Sequence, residues 1–218
     1  DPVRHGAVDN ATGVAAVIEL ARMFAAGPRP QRTLLFMALT AEEKGLQGAT
    51  FYAANPLVPL AKTAAVLNIE MLSPDGPTRD IASWGKGRVS LENDLKRVAE
   101  AHGRTYSPDP NLEAGFFYRA DHSACARAGV PAITVGAGLD RIDGGVASGR
   151  ALRDAYFARC YHQPCDAWTA SWDARGQAQD VALLYALGRE IADSDAWPHW
   201  LNGSEFKAVR ERSETERK

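Results

Sequence analysis

The feature that most constrains this chain is an apolar run ending in paired carboxylates: Thr33-Leu34-Leu35-Phe36-Met37-Ala38-Leu39, then Thr40-Ala41-Glu42-Glu43-Lys44-Gly45. A run of that length and composition predicts a strand over 33–39. In an open α/β sheet, ligands sit in the crevice beyond the carboxyl ends of the strands. Two adjacent acids there can divide the work, one holding a metal and the other moving protons. The plainer reading is a solvated Glu pair opening a surface helix, whose first turn favours negative charge. Three further stretches bearing acids or His bear on the choice.

Taken in order, the chain alternates helix and strand patterns. Asn10 or Thr12 is placed to cap a helix to about residue 26, with Val14, Ile18, Ala21 and Phe24 near helical period, and Gly27-Pro28-Arg29-Pro30 stops it. Residues 45–54 suit a short helix before Asn55-Pro56. A second strand is expected over 63–72, with Glu70 near its carboxyl end, and a short one over 80–84 after the turn Asp75-Gly76-Pro77. Ser90 reads as the N-cap of a helix over 91–102, with Glu92 and Asp94 in its first turn; Asn93 stands where a capping box needs Glu or Gln. Residues 105–120 look loop-rich, 121–128 helical up to Gly129, and 130–135 a buried strand. The Gly-rich stretch 136–149 has neither phosphate-loop nor dinucleotide spacing. Residues 151–159 read as loop or a short helix. Val181, Leu184, Ala186, Leu187 and Ile191 mark a long helix over 174–192, and the charged tail from Arg210 is expected to fray. The pattern predicts one α/β domain, 1–218, with a largely parallel sheet.

Charge and hydropathy exclude several classes. The net charge of −2 gives no basic field for nucleic acid or an anionic membrane. No apolar run approaches the roughly 20 residues that cross a bilayer as a helix. Cys125, Cys160 and Cys165 form no CxxC pair; Cys160 and Cys165 are close enough in sequence to be bridged, and small buried residues are the other reading.

Four stretches place acids or His where a loop meets a strand or helix: Gly6-Ala7-Val8-Asp9-Asn10-Ala11-Thr12-Gly13, Thr40–Gly45, Asn68-Ile69-Glu70-Met71, and Tyr161-His162-Gln163-Pro164-Cys165-Asp166. In this order they resemble the zinc aminopeptidases of peptidase family M28. The likeness extends through Ser123–Pro131 to Trp197-Pro198 and Gly203-Ser204-Glu205-Phe206-Lys207. The resemblance implies a three-layer α/β/α fold with a mostly parallel, mixed central sheet. It implies a peptide substrate, zinc as cofactor and an extracytoplasmic location. By position, Asp9 looks like the carboxylate bridging two zinc ions, Glu43 and His162 like ligands of one of them, and Glu70 like a ligand of the other. Glu42 looks like the general base for the attacking water. Tyr161 is a candidate for stabilising the oxyanion. Asp121 and His122 look like residues that bond to the metal ligands or face the substrate, and Asp166 looks like a support for the His162 loop.

Two departures stand out. The family has Asp where this chain has Glu70, whose carboxylate reaches one methylene further. The family's first zinc ligand is a His in a His-x-Asp motif upstream of the bridging Asp, and His5, four residues before Asp9, does not match it. The resemblance therefore implies the C-terminal portion of a longer enzyme, without its first strands and that His. One metal position would be well furnished and the other incomplete. A single-zinc glutaminyl-peptide cyclotransferase is the alternative enzyme, and a non-catalytic remnant the alternative of another class.

Overall fold

The computed structural model describes residues 4–109 and 111–217. Asp1–Val3 and Lys218, the ends of the expected lead-in and tail, lie outside them. The elements in order are α1 (Thr12–Ala26), α2 (Gln47–Ala54), β1 (Val66–Ile69), β2 (Asp80–Trp84), α3 (Leu91–Ala101), β3 (Thr105–Ser107), α4 (His122–Arg127), β4 (Ala132–Ala137), α5 (Gly145–Arg159), α6 (Arg175–Asp193) and α7 (Lys207–Arg212).

The four strands pair in the order β1-β4-β2-β3. β1 runs parallel to β4 and β2 parallel to β3, while β2 and β4 are antiparallel. The sheet is therefore mixed, with helices flanking it, and the α/β class expected from the sequence holds. Its two faces follow from the period of two along a strand. Asn68 and Thr134 are register partners whose side chains meet, Nδ2 to Oγ1 at 3.2 Å, on the face where His122 of α4 also bonds Thr134. The alternate residues Ile69, Ile133 and Val135 join the main core with Leu20 of α1, Leu91 and Leu95 of α3, and Leu183, Leu184 and Leu187 of α6. α3 shows why it forms: Leu91, Leu95, Val98 and Ala99 recur at helical period and are buried. Each such large side chain contributes about 1.5–3 kcal/mol by leaving water. Across α4, a smaller cluster of Leu46, Ala49 and Ala124 holds α2.

Several local expectations are revised. Residues 33–39 form no strand: they make no ladder with any described strand, and Leu35 and Phe36 are exposed. β propensity supplies no partner for the backbone donors and acceptors. The strand expected over 63–72 shrinks to β1. Ser90 makes no side-chain cap; its Oγ instead accepts the His199 N–H at 3.0 Å. The Gly-rich region continues into α5, where Gly149 sits so close to Leu139 that a Cβ would lie 2.1 Å from that residue's carbonyl oxygen. Close packing explains that glycine. The loop-rich region contains β3. The tail does not fray at Arg210: α7 buries that residue, which donates to the carbonyls of Leu60 at 3.2 Å and Thr63 at 2.9 Å.

A buried charge pair ties the helical layer to the sheet. Arg104 Nη1 donates to Asp180 Oδ1 of α6 at 2.7 Å, with the two side chains 3% and 4% exposed. Its Nη2 donates to Thr78 Oγ1 at 2.8 Å and to the Asp80 carbonyl. Burial nevertheless pushes the Asp180 carboxyl up to about 6, so desolvation outweighs the attraction of Arg104. The pair therefore holds geometry more than it adds stability. Arg104→Met should cost about 3–5 kcal/mol because it strands Asp180. Equilibrium unfolding in urea measures this, and a loss below about 1 kcal/mol would contradict the role.

Candidate metal centre

The candidate ligands come from three distant parts of the chain. His162 Nε2 lies 3.1 Å from Asp9 Oδ2 and 2.8 Å from Glu43 Oε1. One donor atom from each of the three falls within 4.8 Å of the others, a distance a single ion can span. The set offers two carboxylates and one imidazole, chemistry that suits zinc and leaves room for a fourth, exchangeable position.

Local structure explains how each side chain arrives. Asp9 sits in the turn Ala7–Ala11, with non-helical φ/ψ at Asp9 and Asn10. Asp166 holds this turn from one side: its carboxylate accepts the backbone N–H of Val8 at 2.8 Å and of Asp9 at 3.0 Å, and the Tyr156 hydroxyl at 3.1 Å. Asn10 holds it from the other. Its Nδ2 donates to the Ile69 carbonyl at 2.9 Å, and its Oδ1 accepts Gly13 N–H and Met71 N–H, both at 3.1 Å. Gly13 is required here, since a Cβ would lie 2.4 Å from Asn10 Oδ1 and 2.6 Å from the Ile69 carbonyl oxygen. Glu42–Lys44 form a short 3₁₀ turn just before α2. His162 lies between Cys160 and Cys165, which form a disulfide. Cys165 is exposed, contrary to the reading of these cysteines as small buried residues.

Backbone strain concentrates here. Among the described residues, the non-glycine residues at positive φ are Ala41, Leu46, Met71 and His162. Three flank the Glu42–Glu43 turn or Glu70, and the fourth is a candidate ligand itself. Such conformations cost of order 1–3 kcal/mol each and cluster at functional sites.

Glu42, Glu70 and Tyr161 join the three candidates in lining a cavity of about 330 Å³, together with Trp84, Phe116 and Arg119. The Tyr161 ring stacks on His162, centroids 3.8 Å apart. The acids raise one another's pKa. Burial and then the charge of Glu43 lift Glu42 to about 7. Burial, more than the neighbouring Glu42 charge, lifts Glu70 to about 8, although Asn68 Nδ2 donates to it at 2.9 Å. Asp9 is raised by burial and by Glu43. This is a site short of positive charge, and a bound cation would offset the repulsion. Burial pushes the Tyr161 phenol up to about 12.

The other expected residues divide. Asp121 is half-buried, close enough for its charge to act on Glu42 and Glu70, and its Oδ1 is buried without a partner among the described residues. His122 is fully buried, its Nδ1 2.8 Å from Thr134 Oγ1, and burial pushes it down to about 3; it does not line the cavity. His5 is exposed and outside the three-donor group. Asn10's double tether and Arg119 at the cavity wall were not anticipated. The Asn beside Asp9 carried a signal as a helix cap and as part of the Gly6–Gly13 motif, not as a tether, and Arg119 carried none.

Three comparisons bear on this chain. The model of peptidase family M28 matches residues 1–186. A probable zinc metalloprotease of Pyrenophora teres f. teres (strain 0-1) is 42% identical over 127 residues, covering 55% of this chain and 27% of that protein. The Legionella pneumophila LapA aminopeptidase superposes with a TM-score of 0.67 at 17% identity, covering 90% of this chain and 49% of that one. A Porphyromonas gingivalis glutaminyl cyclase gives a TM-score of 0.53 at 17% identity, covering 86% and 64%. Both structures are similar to this chain in fold. The chain spans 26–27% of the length of the first two curated relatives it matches.

The raised Glu70 pKa gives a test on metal-free protein. A carboxyl whose folded value, about 8, lies above its unfolded 4.5 keeps its proton better when folded. Its contribution to stability is complete below pH 4.5 and is lost as pH rises through 8. Glu70→Gln should therefore match the wild type in thermal stability near pH 4.5 and exceed it above pH 8. Equal melting temperatures at both ends would show that Glu70 is not held neutral.

Proposed function

The chain belongs to peptidase family M28, and from that premise we propose that it carries the active site of a zinc-dependent exopeptidase, an aminopeptidase. The observation carrying this reading is the convergence of Asp9, Glu43 and His162 within 4.8 Å, with Glu42 next in sequence and in the same cavity. Asp9, Glu43 and His162 would hold the ion. Zinc bound in such a set polarises the scissile carbonyl and makes water a competent nucleophile near neutral pH.

The remaining steps belong to the chain. Glu42 is outside the three-donor group, so its carboxylate is free to take the proton of the attacking water and return it to the departing amine. Burial, the largest cause of the rise at Glu42 in the metal-free site, favours its protonated form, and a carboxyl held above its ordinary range is better matched to exchange protons in both directions. Tyr161 stays protonated at neutral pH, its phenol being pushed up to about 12, and can donate to the oxyanion as it develops. Asp166 and Asn10 act through Asp9, fixing the backbone that aims it. Asp9 and Glu70 offer a second ion only carboxylates, so one tightly held zinc is the stoichiometry proposed. An extracytoplasmic location is part of the reading, and the Cys160–Cys165 bridge supports it.

A glutaminyl-peptide cyclotransferase is the second reading, favoured by the presence of one three-donor group rather than two among the described residues. There Glu42 would move a proton within the substrate, and ammonia rather than an amino acid would be released.

Two variants of the zinc-loaded protein test the assignment on aminoacyl-nitroanilides, with metal content read in parallel. Glu42→Gln should retain about one zinc per chain and lose about 10²–10⁴-fold in kcat. His162→Ala should lose the zinc itself. Normal turnover in Glu42→Gln at full metal content would sink the role of Glu42, and unchanged zinc in His162→Ala would place the metal elsewhere.

A further inference from the structure

The cavity holding the candidate ligands has an uneven charge pattern that the reaction does not explain. Four carboxylates line it, from Asp9, Glu42, Glu43 and Glu70, and among the described residues Arg119 is the only basic side chain there apart from His162. Arg119 follows the short turn Phe116–Tyr118 and is exposed. Its backbone N–H donates to the Phe116 carbonyl at 3.1 Å, but among the described residues its guanidinium has no carboxylate within ion-pair distance and no hydrogen-bond partner, unlike Arg88, Arg97, Arg104 and Arg175, which have carboxylate partners. It is nevertheless held. Its guanidinium carbon lies 5.4 Å from the centroid of the Phe116 ring, a cation–π arrangement. Phe116 is fixed in turn by Trp84 and Phe157, with ring centroids 5.2 and 5.8 Å away. A planar fork of N–H donors, mounted on an aromatic wall and facing the cavity unpaired, is built to receive a carboxylate.

We propose that Arg119 binds a substrate carboxylate on the residue that follows the scissile bond. The site would then favour dipeptides, whose C-terminal carboxylate lies there, or peptides with an acidic side chain in that place. This rests on the peptidase reading and adds a specificity-determining residue to it. The competing role is electrostatic: the charge of Arg119 also acts on Glu42 and Tyr161. The two roles separate cleanly. A residue acting through Glu42 alters every substrate alike and shifts the pH profile. A residue gripping a carboxylate alters only substrates that carry one.

The test compares Ala-Ala, Ala-Ala-amide and Ala-Glu-amide in zinc-loaded wild type, Arg119→Met and Arg119→Lys. Hydrolysis gives kcat and KM, and calorimetry on the same variants in a Glu42→Gln background gives binding without turnover. Arg119→Met should weaken binding of the carboxylate-bearing peptides about 10–100-fold, the scale of a charge-assisted hydrogen bond. It should leave Ala-Ala-amide unchanged, with Arg119→Lys in between. Loss with Ala-Ala alone identifies the C-terminal carboxylate as the source, and loss with Ala-Glu-amide as well admits the side chain. Equal effects on all three peptides, or none, overturn the proposal. Failure of the wild type to cleave any of them overturns the peptidase reading instead, and the calorimetric comparison still decides Arg119.

Discussion

Everything at this site depends on one tethered turn. Asp166 takes the N–H groups of Val8 and Asp9, and Asn10 reaches to the Ile69 carbonyl while accepting the Met71 N–H. These bonds join three segments: the turn before α1, the end of β1, and the loop after α5. The partners are separated by 59–158 residues in sequence. Asp9 is thereby aimed where Glu43 and His162 arrive. The disulfide that closes the His162 loop ends at Cys165, immediately before Asp166, so the His162 loop and the support of Asp9 are one unit.

The tether matters because the groups it assembles repel one another. Glu42, Glu70, Asp9 and Asp121 all have pKa values raised, with burial the largest cause in each. Left to themselves, such carboxylates would move apart or stay protonated. Positive-φ residues at Ala41, Leu46, Met71 and His162 show that the backbone, too, is held away from its preferred conformations here. A fold that maintains both strains has its counterweight in the core of α1, α3 and α6 against the sheet. Residues that crowd acids around one His make sense as a cation site, and much less as a solvated surface.

Much of this was legible in the residues, and what was not has physical causes. The amphipathic helices α3 and α6 declared themselves by period, because packing on a sheet demands one apolar face; α1 was placed by the same argument, but its buried face is Ala16, Leu20 and Phe24, while Val14 and Ile18 of the expected face are exposed. The acids and His162 could be singled out because they stand at segment ends, in motifs resembling a family to which the chain belongs. Pairing was less visible. Residues 33–39 have the composition of a strand yet pair with no strand among the described residues, and β3, over Thr105–Ser107, is too short to leave a pattern. The N-terminal half of α5 was hidden because its Gly149 is chosen for close approach to Leu139 rather than for helix propensity. Asp166 was expected to support the His162 loop, whereas its carboxylate grips the backbone of Val8 and Asp9, up to 158 residues away, a tertiary fact that no local pattern carries. Arg119 left no trace, since a lone arginine in a loop reads as solvated.

The central claim is that Asp9, Glu43 and His162 meet at one metal ion. Crystals grown with zinc, measured on either side of the zinc absorption edge, test it most directly. The expected anomalous difference map has its strongest peak among Asp9, Glu43 and His162, within about 2.0–2.2 Å of their donor atoms. A strongest peak at any other side chains, or none at these three in a fully zinc-loaded crystal, would contradict it.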